Sequence, residues 1–194
     1  MEDQGRMALT FDGAPNPPGT VDVLEALRRH SVKATFFMEG HRLEKEASTA
    51  LRVKAEGHEI GNHSYSHPMF DEIDLDVARM EIEHTDRLLR EKVGVETRWF
   101  RPPAGQLNDR VRDFIRDLGY DIALWSFSIK DWEGPGPTEV AGRVLAQARP
   151  DSICVFHDRI PWVPETLDIV IPELRRRGFR FVKVSELGRR GLVR

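Results

Sequence analysis

Short apolar runs of β-type residues alternate with longer amphipathic runs along the whole chain, and this alternation is what most limits its fold. Strand candidates fall at Met7–Phe11, Ala34–Phe37, Glu59–Gly61, Trp99–Phe100, Asp121–Trp125, Ser152–Phe156 and Arg180–Val182. Between them, apolar residues at helical spacing cover Thr20–His30, Leu43–Glu56, Leu75–Lys92, Asn108–Leu118, Thr138–Ala148 and Pro164–Arg177. Strands that alternate with helices of roughly 10–15 residues imply βαβ units and a parallel sheet. Gly57, Gly94, Gly119 and Gly178 fall where a helix gives way to a strand, the usual place for a left-handed cap. Periodicity leaves an open sheet and a barrel equally available. The 194 residues are expected to form one domain over 1–194, a size that buries about 70% of the unfolded surface.

The charge balance of 29 Lys+Arg against 32 Asp+Glu, net -3, argues against a broad electrostatic grip on nucleic acid or an anionic membrane. A single cysteine, Cys154, excludes a disulfide framework and a Cys-rich zinc site. No run approaches the ~20 apolar residues of a membrane span. The Met1–Gly5 start has no signal-peptide core, so a cytoplasmic protein is expected, or an extracytoplasmic one if the chain is trimmed. Nothing in the sequence fixes an oligomeric state.

The rarer polar groups share a position. Asp12 follows the first strand, His63 and His67 the third, and Arg101 the fourth; Asp131 lies past the fifth, and His157 with Asp158 ends the sixth. In a parallel sheet these groups gather at the carboxyl edge, where α/β folds place their active sites. Each residue alone has a bland alternative. His63 and His67, four apart in GNHSYSHP, would share one side of a helical turn and suit one zinc ion, or they would be loop histidines capping backbone groups. Asp12 would face the pocket or cap the next turn. Arg101, before two prolines, would hold a carboxylate or make a surface ion pair of little worth. His157 would be a site group or a satisfied core histidine. Taken together, the shared strand-end position favours the functional reading. His41, His58 and His84 show no partner pattern and are expected at the surface.

The chain resembles the polysaccharide deacetylases, the NodB-homology domain of carbohydrate esterase family four, from about Met7 to Leu187. The resemblance rests on ATFF at Ala34–Phe37, EGHEIGNHSYSHP at Glu56–Pro68, FRPPAG at Phe100–Gly105 and LGYDIALWS at Leu118–Ser126. KDW at Lys130–Trp132, CVFHD at Cys154–Asp158 and GFRFVKVSEL at Gly178–Leu187 also match. The resemblance implies a distorted (β/α)7 barrel that hydrolyses N-acetyl, or sometimes O-acetyl, groups on carbohydrate such as chitin, peptidoglycan or xylan. It also implies a divalent metal, with zinc favoured by histidine donors. Carried over, His63 and His67 would be metal ligands, Asp12 the general base and His157 the general acid. Arg101 would tether the base, Asp131 would tune the acid, and the backbone near Ala104 would help hold an oxyanion. Trp132 would stack on a sugar or wall the acetyl pocket, whereas Trp125 is better read as core.

The first motif departs from the family. The family's TFDDGP reads TFDGAP here, so the metal-ligating aspartate falls on Gly13. Ala104 stands where an aromatic is usual, and Ser128 where an Asp is common. Three readings stay open. The chain is an active deacetylase in which Asp12 shifts on its loop, or water fills in, to replace the ligand; or a degenerate carbohydrate-binding member; or a hydrolase of cyclic imide or ureide C–N bonds.

Overall fold

The computed structural model describes residues 5–134 and 136–187; the outer ends of the expected 1–194 domain, and residue 135, lie outside the described residues. Among the described residues seven strands alternate with seven α-helices: β1 Gly5–Ala14, α1 Gly19–Arg29, β2 Thr35–Met38, α2 Gly40–Ala55, β3 Glu59–Asn62 and α3 Leu75–Leu88. Then come β4 Trp99–Phe100, α4 Asp109–Asp117, β5 Asp121–Ile122, α5 Pro137–Gln147, β6 Ser152–His157, α6 Val163–Arg176, β7 Phe179–Val182 and α7 Val184–Leu187. All strand pairs are parallel, in the order β5-β4-β3-β2-β1-β6.

β7 pairs with β1 over Gly5–Ala8, whereas β2 engages β1 from Thr10 onward. Beyond β5 the chain returns to the sheet: Phe127 bridges Cys154 in parallel and Ser126 N–H donates to Ile153 O at 2.9 Å. That contact links the β5 side to the free edge of β6 and curls the sheet into a distorted barrel, as the resemblance implied.

β1 is buried on both faces, with Met7, Ala8, Leu9, Thr10 and Phe11 all inaccessible to solvent, as expected of a parallel strand under helices. Alternation along the strand sorts its side chains. Met7, Leu9 and Phe11 join the large core shared with α1, α2, α5 and α6. Ala8 joins Phe37, Ala123, Ile153, Val184 and Leu187 in a separate small cluster that includes α7. Thr10 and Asp12 continue the alternation set by Ala8 toward the carboxyl edge, where they meet Arg101.

Two expected elements differ. The strand expected over Asp121–Trp125 stops at Ile122, and beyond it the carbonyls of Ala123 and Leu124 accept from the Arg101 side chain instead of a strand. The helix expected over Leu75–Lys92 is α-helical to Leu88 and closes as a π-turn over Leu89–Val93 before Gly94. No helix among the described residues is long and apolar enough to cross a membrane.

Candidate active site

The carboxyl edge of the sheet carries the groups that the strand-end positions pointed to. Asp12, near the end of β1, and His157, the last residue of β6, are direct Cα partners in the β1–β6 register. Just past Asp12, Gly13 takes φ +90° as the pairing with β2 slips by one residue, a bulge that suits glycine. Asp12 Oδ1 accepts from Arg101 Nη1 at 2.6 Å.

Arg101 is fully buried. Its Nε donates to Ala123 O at 2.7 Å, its Nη1 also donates to Thr10 Oγ1 at 2.8 Å, and its guanidinium lies 4.0 Å from the centre of the Phe37 ring. Burial pushes the Asp12 carboxyl upward, but the Arg101, His63 and His157 charges outweigh it and hold Asp12 below its ordinary value. Asp12 is therefore a pinned carboxylate, and the expected shift of a mobile Asp12 into a ligand role does not match its place within a strand and an ion pair.

His157 is held as a directed imidazole. Asp131, wholly buried in a 3-10 turn over Asp131–Glu133, accepts from His157 N–H at 2.7 Å and from His157 Nδ1 at 2.8 Å. Trp162 Nε1 donates to Asp131 O at 3.0 Å and fixes the turn. With Nδ1 engaged, Nε2 is the nitrogen left for chemistry.

His63 and His67 do not lie on a helical turn. They flank a loop in which Ser64 and His67 have positive φ, and that loop brings the two rings edge to face, 4.9 Å apart. Neighbouring side chains hold the loop: Asn62 Oδ1 accepts from Ser64 N–H, and Glu81 Oε2 accepts from the Tyr65 and Ser66 amides. His63 Nδ1 donates to Arg101 O at 2.8 Å, which leaves Nε2 as a free lone pair and fixes the tautomer a metal would need. Burial, acting against the charged form, pushes the His63 pKa down.

A residue that the strand-end argument passed over completes the cluster. Glu39, immediately after β2, offers a carboxylate oxygen that lies with one donor atom each of His63 and His67 within 4.8 Å of one another. Its signal was the one used elsewhere, an ionisable residue directly after an apolar strand, in ATFFME. Two imidazoles and one carboxylate are a donor set suited to zinc and similar divalent ions, so the site's chemistry fits the metal that the resemblance implied.

These groups open onto one cavity of about 620 Å³, lined among others by Asp12, His63, His67, His157, Ala104 and Trp132. Ala104 is exposed at the rim with φ +51°, and the turn bonds of its loop come from Gly105 and Gln106, so that the Ala104 amide has no partner among the described residues. Trp132 is 48% exposed and sets its ring edge to face with His157 at 5.2 Å. Trp125 is not core: it is half-buried in the cavity wall. Of the histidines expected at the surface, His58 is buried, accepts from the Ala34 amide at 3.1 Å and has its pKa pushed down to about 4 by burial and Lys33. His41 lines the cavity and His84 stacks on Tyr65.

The profile of the family described as polysaccharide deacetylase matches residues 2–123. A peptidoglycan-N-acetylglucosamine deacetylase of Bacillus cereus is 36% identical over 186 residues, 93% of this chain and 87% of that protein. The solved structure of the peptidoglycan deacetylase PdaC of Bacillus subtilis superimposes with a TM-score of 0.88 at 33% identity, covering 95% of this chain and 90% of that one; the chain spans 39% of full-length PdaC. A carbohydrate esterase family four pseudoenzyme of Bacillus anthracis superimposes at 0.89 with 30% identity, covering 96% of this chain and 66% of that one.

Proposed function

Because the chain belongs to the polysaccharide deacetylase family, we propose that it is a metal-dependent hydrolase that removes acetyl groups from N-acetylated, peptidoglycan- or chitin-like carbohydrate. The observation that carries this reading is the pairing of a tethered carboxylate and a directed imidazole, Asp12 and His157, at one register position of adjacent strands. His63 and His67 would hold a divalent ion. When bound, such an ion polarises an amide carbonyl and lowers the pKa of a water beside it.

Asp12 takes the proton of the attacking water as that oxygen bonds to the acetyl carbon. Arg101 keeps Asp12 ionised and aimed during the transfer. The free amide of Ala104, at the cavity rim, donates to the oxygen that gains charge. The C–N bond then breaks as His157 Nε2 gives its proton to the departing nitrogen, leaving acetate and a free amine. The Asp131 carboxylate at 2.8 Å from Nδ1 steadies the imidazolium before that transfer. Trp132 offers an exposed ring at the mouth for a sugar face.

The test is acetate release from N-acetylated chitooligosaccharides and from peptidoglycan. The expected result is release by the wild type that His157→Ala abolishes, and silence across varied acetylated glycans would refute it. A second reading, a carbohydrate binder without efficient turnover, is favoured by Gly13 and by the existence of a family pseudoenzyme. It predicts oligosaccharide binding in calorimetry with no acetate formed. A hydrolase of cyclic imides or ureides would use the same base and acid, and is favoured by the small Ala104 at the rim; opening of such a ring in place of glycan deacetylation would identify it.

A further inference from the structure

We propose that Glu39 is the third ligand of the divalent ion held by His63 and His67, and that Gly13 is the space that admits it. The inference rests on the metal-dependent reading above and concerns where the carboxylate comes from. The family supplies it from the residue after Asp12; this chain supplies it from the end of the neighbouring strand.

Backbone bonds clamp Glu39 between the two loops that matter. Its own N–H donates to Ala14 O at 2.8 Å, beside the β1 bulge. The next two amides, Gly40 and His41, donate to Ser64 O at 2.9 Å and Tyr65 O at 3.1 Å, within the histidine loop. The carboxylate therefore starts from a fixed point next to both imidazoles. Arg42 Nε donates to Glu39 Oε2 at 2.7 Å, which orients the group.

The other oxygen lies over Gly13. A Cβ placed on Gly13 would sit 3.5 Å from Glu39 Oε1, with Arg159 Nη1 at 3.6 Å and Asp158 Oδ1 at 3.9 Å. An aspartate at position 13 would set its Cβ in contact with Glu39 Oε1 and bring a second carboxylate beside the first, and two buried carboxylates side by side repel. The site holds one acid or the other. Gly13 and Glu39 form a compensated pair, and the glycine is not by itself a lost function.

A purely structural role is the competing account. Glu39 is 5% exposed and ion-paired to Arg42, which alone would explain a buried acid. The two accounts separate on metal affinity in the absence of substrate. Chelator-stripped wild type, Glu39→Gln, Glu39→Ala and Glu39→Ala with Gly13→Asp would be titrated with zinc in a calorimeter, with circular dichroism confirming the fold of each metal-free protein. Loss of a first ligand should exceed the 10- to 100-fold typical of outer-shell changes, so both single variants are expected to weaken zinc by more than about 100-fold. Gly13→Asp is expected to recover at least about 10-fold of that loss, net of the strain that a side chain meets at φ +90°.

Zinc affinity within about threefold of wild type in folded Glu39→Gln, or no zinc binding by the wild type, would overturn the proposal. Failure of Gly13→Asp to recover affinity would overturn the compensated pair. Acetate release is read separately: a wild type that binds zinc through Glu39 yet releases no acetate upholds this ligand assignment and refutes the deacetylase reading.

Discussion

Replacing Arg101 with Met tests the electrostatic design of the site by removing a charge and keeping the length. In the wild type the guanidinium is the partner of the buried Asp12 carboxylate and the donor to Thr10 Oγ1 and Ala123 O. Removing one partner of a buried ion pair costs about 3–5 kcal/mol, because the other charge is stranded. Set against a domain stability of about 5–15 kcal/mol, that is a large fraction. For a chain of this size it lowers Tm by roughly 6–20 °C.

The sign of the pH dependence is specific. In the wild type Asp12 is held below its unfolded value of 3.8, so its contribution is fully present above that value and is lost as pH falls through the lower folded one. In Arg101→Met burial is opposed by His63 and His157 alone, so Asp12 is expected above its unfolded value, and the folded variant is destabilised by ionisation at neutral pH and relieved as the group protonates. The gap between variant and wild type should therefore narrow on going from about pH 8 to about pH 5. Urea unfolding of both proteins across that range, metal-free, measures it. A difference below about 1 kcal/mol, or one that does not change with pH, would show that Arg101 does not sustain the Asp12 charge.

Other consequences are as specific. Asp131→Asn should lower kcat by about 10²–10⁴-fold with little change in KM and displace the limb of the pH–rate profile that reports the acid; an unmoved limb would remove Asp131 from that role. Asp158, buried with Oδ1 unpartnered among the described residues and Oδ2 accepting from Thr20, has its pKa pushed up to about 7, chiefly by burial. A raised carboxyl loses stability as pH rises from its unfolded value of 3.8 through about 7, so Asp158→Asn should gain on the wild type across that window in chemical unfolding, and a constant difference would argue otherwise. Trp132→Ala should raise KM for oligosaccharides while shifting stability by no more than about 0.5 kcal/mol, as befits an exposed ring. A collapse of kcat with unchanged KM would instead mean that the ring supports His157.

The sequence disclosed the residues that sit where a parallel strand must end. Asp12, His63, Arg101 and His157 each follow an apolar run, and a parallel sheet leaves them on one edge. Glu39 obeys the same rule, but helical spacing in the sequence begins only at Leu43 and assigns Glu39 no role; the structure makes it the cap of α2. At the slipped β1–β2 register, Gly13 brings no side chain against the Glu39 carboxylate. The histidine pair was legible as a pair but its loop geometry was not, because left-handed Ser64 and His67 sit in a turn whose amides donate to Asn62, Glu81 and Ser64 side chains. Asp121–Trp125 looked like a full strand because nothing local says that a side chain from Arg101 will take the place of a neighbouring backbone.

The shared register of Asp12 and His157 has one more consequence. Adjacent parallel strands run about 4.8 Å apart whatever side chains they bear, so the backbone anchors of Asp12 and His157, the proposed proton acceptor and donor, are spaced by the ladder itself. The ladder works as a ruler for where those two side chains start. Variation in what the pocket accepts is left to groups off the ladder, Ala104 and Trp132 among them, which can change without resetting the gauge.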